Sequence, residues 1–237
     1  MTSETIQGMW IGAELSALER LSVASFLKQG HEYHLYVYGD VRNVPPGAVV
    51  RDASEVLPSS MIFKYRQFDS YAGFSNFFRY KLLLERGGWW ADADIVCLKP
   101  FDFAEAHVFA SEPYEGADVV SSGVVKAPAG SAAMEYAWRV CEGKRREDLV
   151  WGETGPRLVG EAVRRFSLER FVKPHEVFCP VGYEQWESVL DAGRAWVFGE
   201  TTRAVHFWNE MWRRAGRDKN ARYDAGCLYE RLKDEYL

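Results

Sequence analysis

The stretch FSNFFRYKLLLERGGWWADADIVCLKPFD, from Phe74 to Asp102, sets two carboxylates, Asp92 and Asp94, between a glycine pair and an apolar run. Phe74 to Arg86 has helical spacing, with Ser75 as the expected N-cap and Gly87-Gly88 as the stop. WWADADIVCLKP then reads as a strand, oddly charged in its first half and ended by Pro100. In an extended strand, residues two apart point to one face, so Asp92 and Asp94 project together. Two ionised carboxylates held side by side repel, and burial sharpens the repulsion. A divalent cation removes that penalty, and oxygen ligands of this kind suit Mn2+ or Mg2+. The plainer alternative is a solvated loop ahead of the strand, which needs no ion. On the preceding helix, Asn76 and Arg79 share a face. The tight glycine turn would bring that face near the start of the strand. An amide and a guanidinium beside two acids suit a charged, hydroxyl-rich ligand; a surface ion pair of Arg79 with Glu85 is the alternative.

Working outward, IQGMWIG (Ile6 to Gly12) reads as a strand. Leu15, Leu18, Leu21, Phe26 and Leu27 then recur at helical spacing up to Gly30, and YHLYVYGD reads as a buried second strand. This β-α-β opening predicts a parallel sheet with right-handed crossovers. VRNVPPGAVVRD reads as a loop. HVFASEP and DVVSSGVVKAP read as strands, SAAMEYAWRVCEGKRRED and GPRLVGEAVRRFSLERF as helices, and EVFCP, AWVFG and AVHFW as short strands. The tail from Asn209 is polar, with a helix expected in CLYERLKDEY. Without repeats or an evident linker, residues 1–237 are expected to form one domain.

Composition narrows the functional classes. An apolar content of 47% with 15% aromatics fits a packed globular chain, and a net charge of −5 gives no footprint for nucleic acid. No apolar run approaches the roughly 20 residues of a membrane span. MTSETIQGMW shows no basic-then-apolar leader, and the four scattered cysteines (Cys97, Cys141, Cys179, Cys227) suggest buried thiols in a reducing cytoplasm. Arg213, Arg214, Arg217, Lys219 and Arg222, interleaved with Trp212 and Tyr223, are weighed as a peripheral contact with the inner membrane face against a solvated helical face.

The central stretch resembles the DXD glycosyltransferases of family 32, which include capsular and lipopolysaccharide sugar transferases, α-mannosyltransferases and, more distantly, the large glucosylating toxins. Weaker similarity in GMWIG, ETGPRLV and AVHFWN keeps family order. The resemblance implies a GT-A fold: an α/β architecture with a Rossmann-like, mostly parallel central sheet flanked by helices. It implies a nucleotide half (1–100), a sugar and acceptor half (101–208) and a C-terminal helical tail (209–237). It further implies a metal-dependent, retaining transfer from a UDP-sugar to a polysaccharide or glycolipid acceptor. In that pattern Asp94 ligates the metal, and Asp92 touches ribose and the metal shell. Arg79 stands near the donor sugar, and Asn76 falls where many relatives carry a sugar-binding aspartate. Trp10, with Ile11 beside it, matches a tryptophan that stacks on uracil, and Trp90 matches a tyrosine beside the nucleoside. His206 is the third candidate metal ligand, against the alternative of a core histidine. Trp208 or Asn209 would donate to the β-phosphate. Ser122 and Gly155, in SSG and TGP, fall by the sugar pocket. Glu153 is the nearest further carboxylate, but a front-face retaining mechanism needs no base or nucleophile. A catalytically silent GT-A scaffold gripping glycan or a partner is the alternative, with the Asn76 departure as its support. A nucleotidyltransferase would want a glycine-rich phosphate loop that is not seen.

Overall fold

The computed structural model describes residues 5–237; the first four residues of the expected nucleotide half lie outside the described residues. The chain opens with β1 (Ile6–Trp10), α1 (Ala17–Lys28) and β2 (Tyr33–Val37), and β2 lies parallel to β1 in the expected β-α-β unit. At the entry to α1, the Ser16 backbone N–H donates to Glu19 Oε2 at 2.8 Å, satisfying an amide that the helix leaves unpaired. A third strand, β3 (Val49–Asp52), adds parallel to β2, so the last four residues of VRNVPPGAVVRD are strand, not loop. The turn chemistry of Pro-Pro-Gly masked a short β-branched edge strand.

Helix α2 (Ala72–Arg86) begins two residues earlier than expected, capped at Tyr71, and Ser75 lies inside it. Gly87 ends it at φ +63, where a Cβ would stand 2.4 Å from the backbone nitrogen of Ala129; only glycine fits this turn. Strand β4 (Gly88–Ala91) then runs parallel to β1. The expected continuous strand WWADADIVCLKP is two strands in two sheets. The chain leaves the main sheet at Asp92, turns through an Ile95 N–H to Asp92 C=O bond of 3.0 Å, and enters β5 (Ile95–Cys97). The long hairpin β6 (Val108–Tyr114) and β7 (Ala117–Ala127) returns to the main sheet with β7 antiparallel to β4.

Helices α3 (Ala132–Glu142), α4 (Pro156–Arg165) and the short α5 (His175–Phe178) follow, then β8 (Ala204–His206), α6 (Asn209–Arg214) and α7 (Leu228–Tyr236). The sequence EVFCP, expected as strand, lies largely in α5, whose single turn is set between Pro174 and Pro180. AWVFG makes no strand; Trp196 and Phe198 stack on each other instead, and Val197 is exposed.

Among the described residues, the main sheet has the order β3-β2-β1-β4-β7-β6, with the first four strands parallel, and β5 pairs with β8 in a second, two-stranded sheet. Alternation along β4 divides the core. Trp90 packs with Phe77 and Phe78 of α2 and with Phe109, while Trp89 packs with Phe26 of α1, Phe101 and Phe178. All four cysteines are buried and free, as expected. No helix of the described residues is long and apolar enough to cross a membrane.

The tail is a wall of the molecule rather than an appendage. Trp212 is fully buried against Trp186, Tyr223 and Tyr229, where emptying its site would cost about 3–5 kcal/mol, so it is no lipid anchor. Lys219 pairs with Glu19, a carboxylate with no solvent exposure, and thereby ties the tail to α1.

Candidate active site

Parallel strands leave their C-terminal ends on one edge, and a crevice there is the ordinary consequence. Here β1, β4 and β6 all end on that edge, beneath a cleft of about 990 Å³. Every site residue expected from the sequence lines it: Trp10, Ile11, Asn76, Arg79, Trp90, Asp92, Asp94, Ser122, Gly155, His206 and Trp208.

The acids converge because of the turn, not because of strand alternation. Asp92 closes onto β7 through its N–H to the Gly123 carbonyl at 2.8 Å, and Asp94 faces β8. The two carboxylates and His206 each bring one ligand atom within 4.8 Å of the others. At that separation, two like charges repel by about 3 kcal/mol at an effective dielectric near 20. The protein supplies a counter-charge for each. Arg79 Nη2 stands 2.8 Å from Asp92 Oδ1, and His206 Nε2 stands 3.2 Å from Asp94 Oδ2. Repulsion alone therefore does not demand an ion. The alternative of a surface Arg79–Glu85 pair is not what the fold makes: Arg79 pairs with Asp92, and Glu85 with Lys81.

Each group is held in place by several bonds. Besides Asp92, Arg79 donates to the Ser122 carbonyl through Nη1 and to Ser75 Oγ at 3.3 Å. Trp90, expected beside a nucleoside, is 1% exposed, and its indole N–H donates to Asp92 Oδ1 at 2.8 Å; its link to the site runs through that carboxylate. The Asn209 backbone N–H donates to Asp94 Oδ2 at 2.7 Å, and the Trp208 indole N–H to the Val181 carbonyl at 2.8 Å. Both donors expected for a β-phosphate thus have protein partners, and Trp208 instead lays its ring on His206 at 3.9 Å between centroids. Asn76 donates to Thr154 Oγ1 at 3.3 Å, and a Cβ on Gly155 would stand 3.3 Å from the Asn76 amide, so the glycine keeps this corner open. Trp10 donates its N–H to the Glu14 carbonyl at 2.9 Å, which fixes the ring plane at the end of β1.

Burial lifts the Asp92 carboxyl above its ordinary range, opposed by Arg79 and reinforced by Asp94. Burial also works against the charged forms of Asp94 and His206, but their mutual attraction outweighs it: Asp94 is lowered and His206 raised well above 6.5. A raised histidine contributes stability that is full below its unfolded value, about 6.5, and is lost as pH climbs through the raised folded value. Asp94 contributes stability above about 4 that is lost as pH falls through its lowered value. In EDTA the melting temperature should therefore decline as pH rises above about 6.5. His206→Gln should flatten that decline, and an equally steep profile in the variant would refute the pairing.

The donor set fits a divalent ion such as Mn2+: two carboxylate oxygens and an imidazole nitrogen, buried and mutually close. His206 Nδ1 is buried and without a hydrogen-bond partner, which leaves the imidazole free to present Nε2 to an ion beside Asp94.

The sequence reading missed Glu112, Tyr114 and Tyr183, which also line the cleft. An acid interrupting the apolar run of HVFASEP was the available signal for the first. Glu153 turns to Lys144 and does not line the cleft. Arg213, Arg214, Arg217 and Lys219 line it as well, paired with Glu210, Glu187 and Glu19.

Residues 18–112 match a family model described as "Glycosyltransferase sugar-binding region containing DXD motif". The matched segment includes Asn76, Arg79, Trp90, Asp92 and Asp94, and stops at Glu112. Among solved structures, the chain is similar to the PaToxG glycosyltransferase, with a TM-score of 0.52 at 16% identity over 68% of this chain and 69% of that one. It is also similar to a cysteine-to-serine double mutant of a transferase, with a TM-score of 0.45 at 11% identity over 69% of this chain and 85% of that one. The first likeness bears on the fold; the second is too slight to carry an inference. No curated protein matches the chain. The fold is thus an α/β, GT-A-like one, and over residues 18–112 its sequence is similar to the DXD sugar-binding region of glycosyltransferases.

Proposed function

We propose that this protein is a metal-dependent, retaining glycosyltransferase that moves a sugar from a nucleotide donor, with UDP-sugar preferred, to a polysaccharide or glycolipid acceptor. The observation that carries the reading is the convergence of Asp92, Asp94 and His206 beneath the cleft, with Arg79 and Asn76 on the adjoining helix. Asp94, His206 and Asp92 would hold Mn2+ or Mg2+. Bound there, the ion would supply Lewis acidity toward the departing diphosphate.

The side chains divide the remaining work. Trp10 and Ile11 offer an apolar wall for the base at the end of β1. Asp92, oriented by Trp90 and Arg79, presents its carboxylate to ribose. Asn76, Ser122 and Gly155 form the corner that receives the sugar ring, and Arg79 fixes that corner by tying α2 to β7. Holding donor and acceptor in one orientation replaces a collision by a positioned encounter. In a front-face retaining transfer, the leaving phosphate takes the acceptor proton, so no protein base is required.

Purified protein with Mn2+ should release UDP slowly from one sugar in a panel of nucleotide sugars, and EDTA should stop the release. If calorimetry shows no manganese-dependent nucleotide binding while an oligosaccharide binds regardless of metal, the silent-scaffold reading replaces this one.

A further inference from the structure

We propose that the acceptor subsite of this cleft is the aromatic row Tyr114, Tyr183 and Trp208 together with the Glu112 carboxylate, and that it takes a pyranose ring of a glycan. The inference rests on the transferase reading of the same cleft and adds the half that the sequence left unassigned.

The layout of the sheet orders the cleft. Going across β1, β4, β7 and β6, the lining residues are Trp10, then Asp92, then Ser122, then Glu112 and Tyr114. Three strand spacings separate β1 from β6, about 14 Å in all. With the base at Trp10, the diphosphate at the paired acids and the donor sugar at Ser122, the next strand along is where the acceptor must come.

What β6 and its neighbours present there suits a sugar. Tyr114 and Tyr183 lie nearly parallel, 6.0 Å apart at 22°, and Tyr183 meets Trp208 edge to face at 6.2 Å. The row runs from Tyr114, 42% exposed at the mouth, inward to Trp208 stacked on His206. Such a run of partly wetted rings ending at the reactive centre is poorly hydrated, and the C–H face of a pyranose can cover it. Glu112, half-buried in the same wall, has Ser121 as its hydroxyl neighbour. A carboxylate there can only accept hydrogen bonds, and a sugar rim offers hydroxyl donors.

The step balances without the row changing state. The acceptor hydroxyl oxygen bonds to the anomeric carbon of the donor sugar, the bond from that carbon to the diphosphate oxygen breaks, and the hydroxyl proton leaves with the diphosphate. Glu112 orients the acceptor ring by accepting a hydrogen bond from a hydroxyl next to the reacting one, whose own proton stays free for the diphosphate, and Tyr183 holds the ring plane.

Saturation-transfer NMR on the full chain, with a panel of methyl gluco-, galacto- and mannopyranosides and their disaccharides, tests this directly. At least one ligand should bind through its ring C–H protons. Tyr183→Ala, at the half-buried first residue of the 3-10 helix Tyr183–Leu190, should weaken it at least tenfold, and Glu112→Gln several-fold. Binding unchanged in Tyr183→Ala would overturn the assignment, as would transfer to hydroxyls of a peptide library that no pyranoside inhibits. Calorimetry with UDP and Mn2+ on the same samples reads the donor half separately. A chain that binds UDP but no pyranoside loses this subsite and keeps the transferase reading.

Discussion

Asp94→Asn should lower sugar transfer by more than about a hundredfold, because even partners one bond removed from a metal ligand alter affinity or activity by about 10–100-fold. The substitution keeps the size of the side chain and an oxygen for the Asn209 N–H, so the backbone at the start of α6 keeps its bond. It removes the charge that pairs with His206 and that a divalent ion would need. The circular dichroism spectrum at neutral pH should stay close to wild type and the urea midpoint should fall modestly, because His206 loses its buried partner, while manganese-dependent UDP binding disappears from calorimetry. A variant that turns over at the wild-type rate would remove the metal role from this residue and, with it, the main physical support for sugar transfer.

Arg79→Ala should be the most destabilising single change in the site. Its guanidinium side chain is 4% exposed and joins three elements: Ser75 on its own helix, Ser122 on β7 and Asp92 at the end of β4. Removing it leaves Asp92 buried without its counter-charge, beside a second acid. Breaking a buried pair from one side costs about 3–5 kcal/mol, and the 25% exposure of Asp92 places this case toward the lower end. Urea unfolding should show that loss, and activity should fall with it. The paired change Arg79→Ala with Asp92→Ala should return part of the stability, because the stranded charge is gone, and none of the activity. An unmoved midpoint in the single variant would show that solvent compensates Asp92 and that the arginine is not structural.

How far the sequence could be read depended on the range of the interaction behind each feature. The β-α-β opening, the stop at Gly87-Gly88 and the hairpin β6–β7 follow from spacing, glycine conformation and β-branched runs, all contained within a few residues. The single strand expected through Asp92 and Asp94 failed because the chain crosses from one sheet to another there. Pairing with β8, more than a hundred residues away, decides that crossing. EVFCP and AWVFG failed for a similar reason: their aromatic and β-branched content signals burial, which helix, turn and strand can all satisfy.

The site shows the same division. Residue types within 74–102 sufficed to single out Asn76, Arg79, Asp92 and Asp94, since one helix, one turn and one strand end bring them together. His206, Ser122 and Gly155 entered through resemblance, and Glu112 and Tyr183 not at all: an acid interrupting the run HVFASEP marks Glu112 as unusual, but only the fold makes it and Tyr183 neighbours of the acids. In the basic tail, the fold sets Trp212 in the core and Lys219 on Glu19, across distances that the local sequence does not show.

By itself, then, the order of residues determined that two acids follow a glycine turn after a helix bearing Arg79, and that parallel strands surround them. Only the folded chain decided that Arg79 and His206 each neutralise one acid, that the Trp90 indole donates to Asp92, and that the tail lines the cleft. Local steric preference acts over a few residues and can be read from them. Charge pairing and burial act across space, between groups that only the closed sheet makes adjacent.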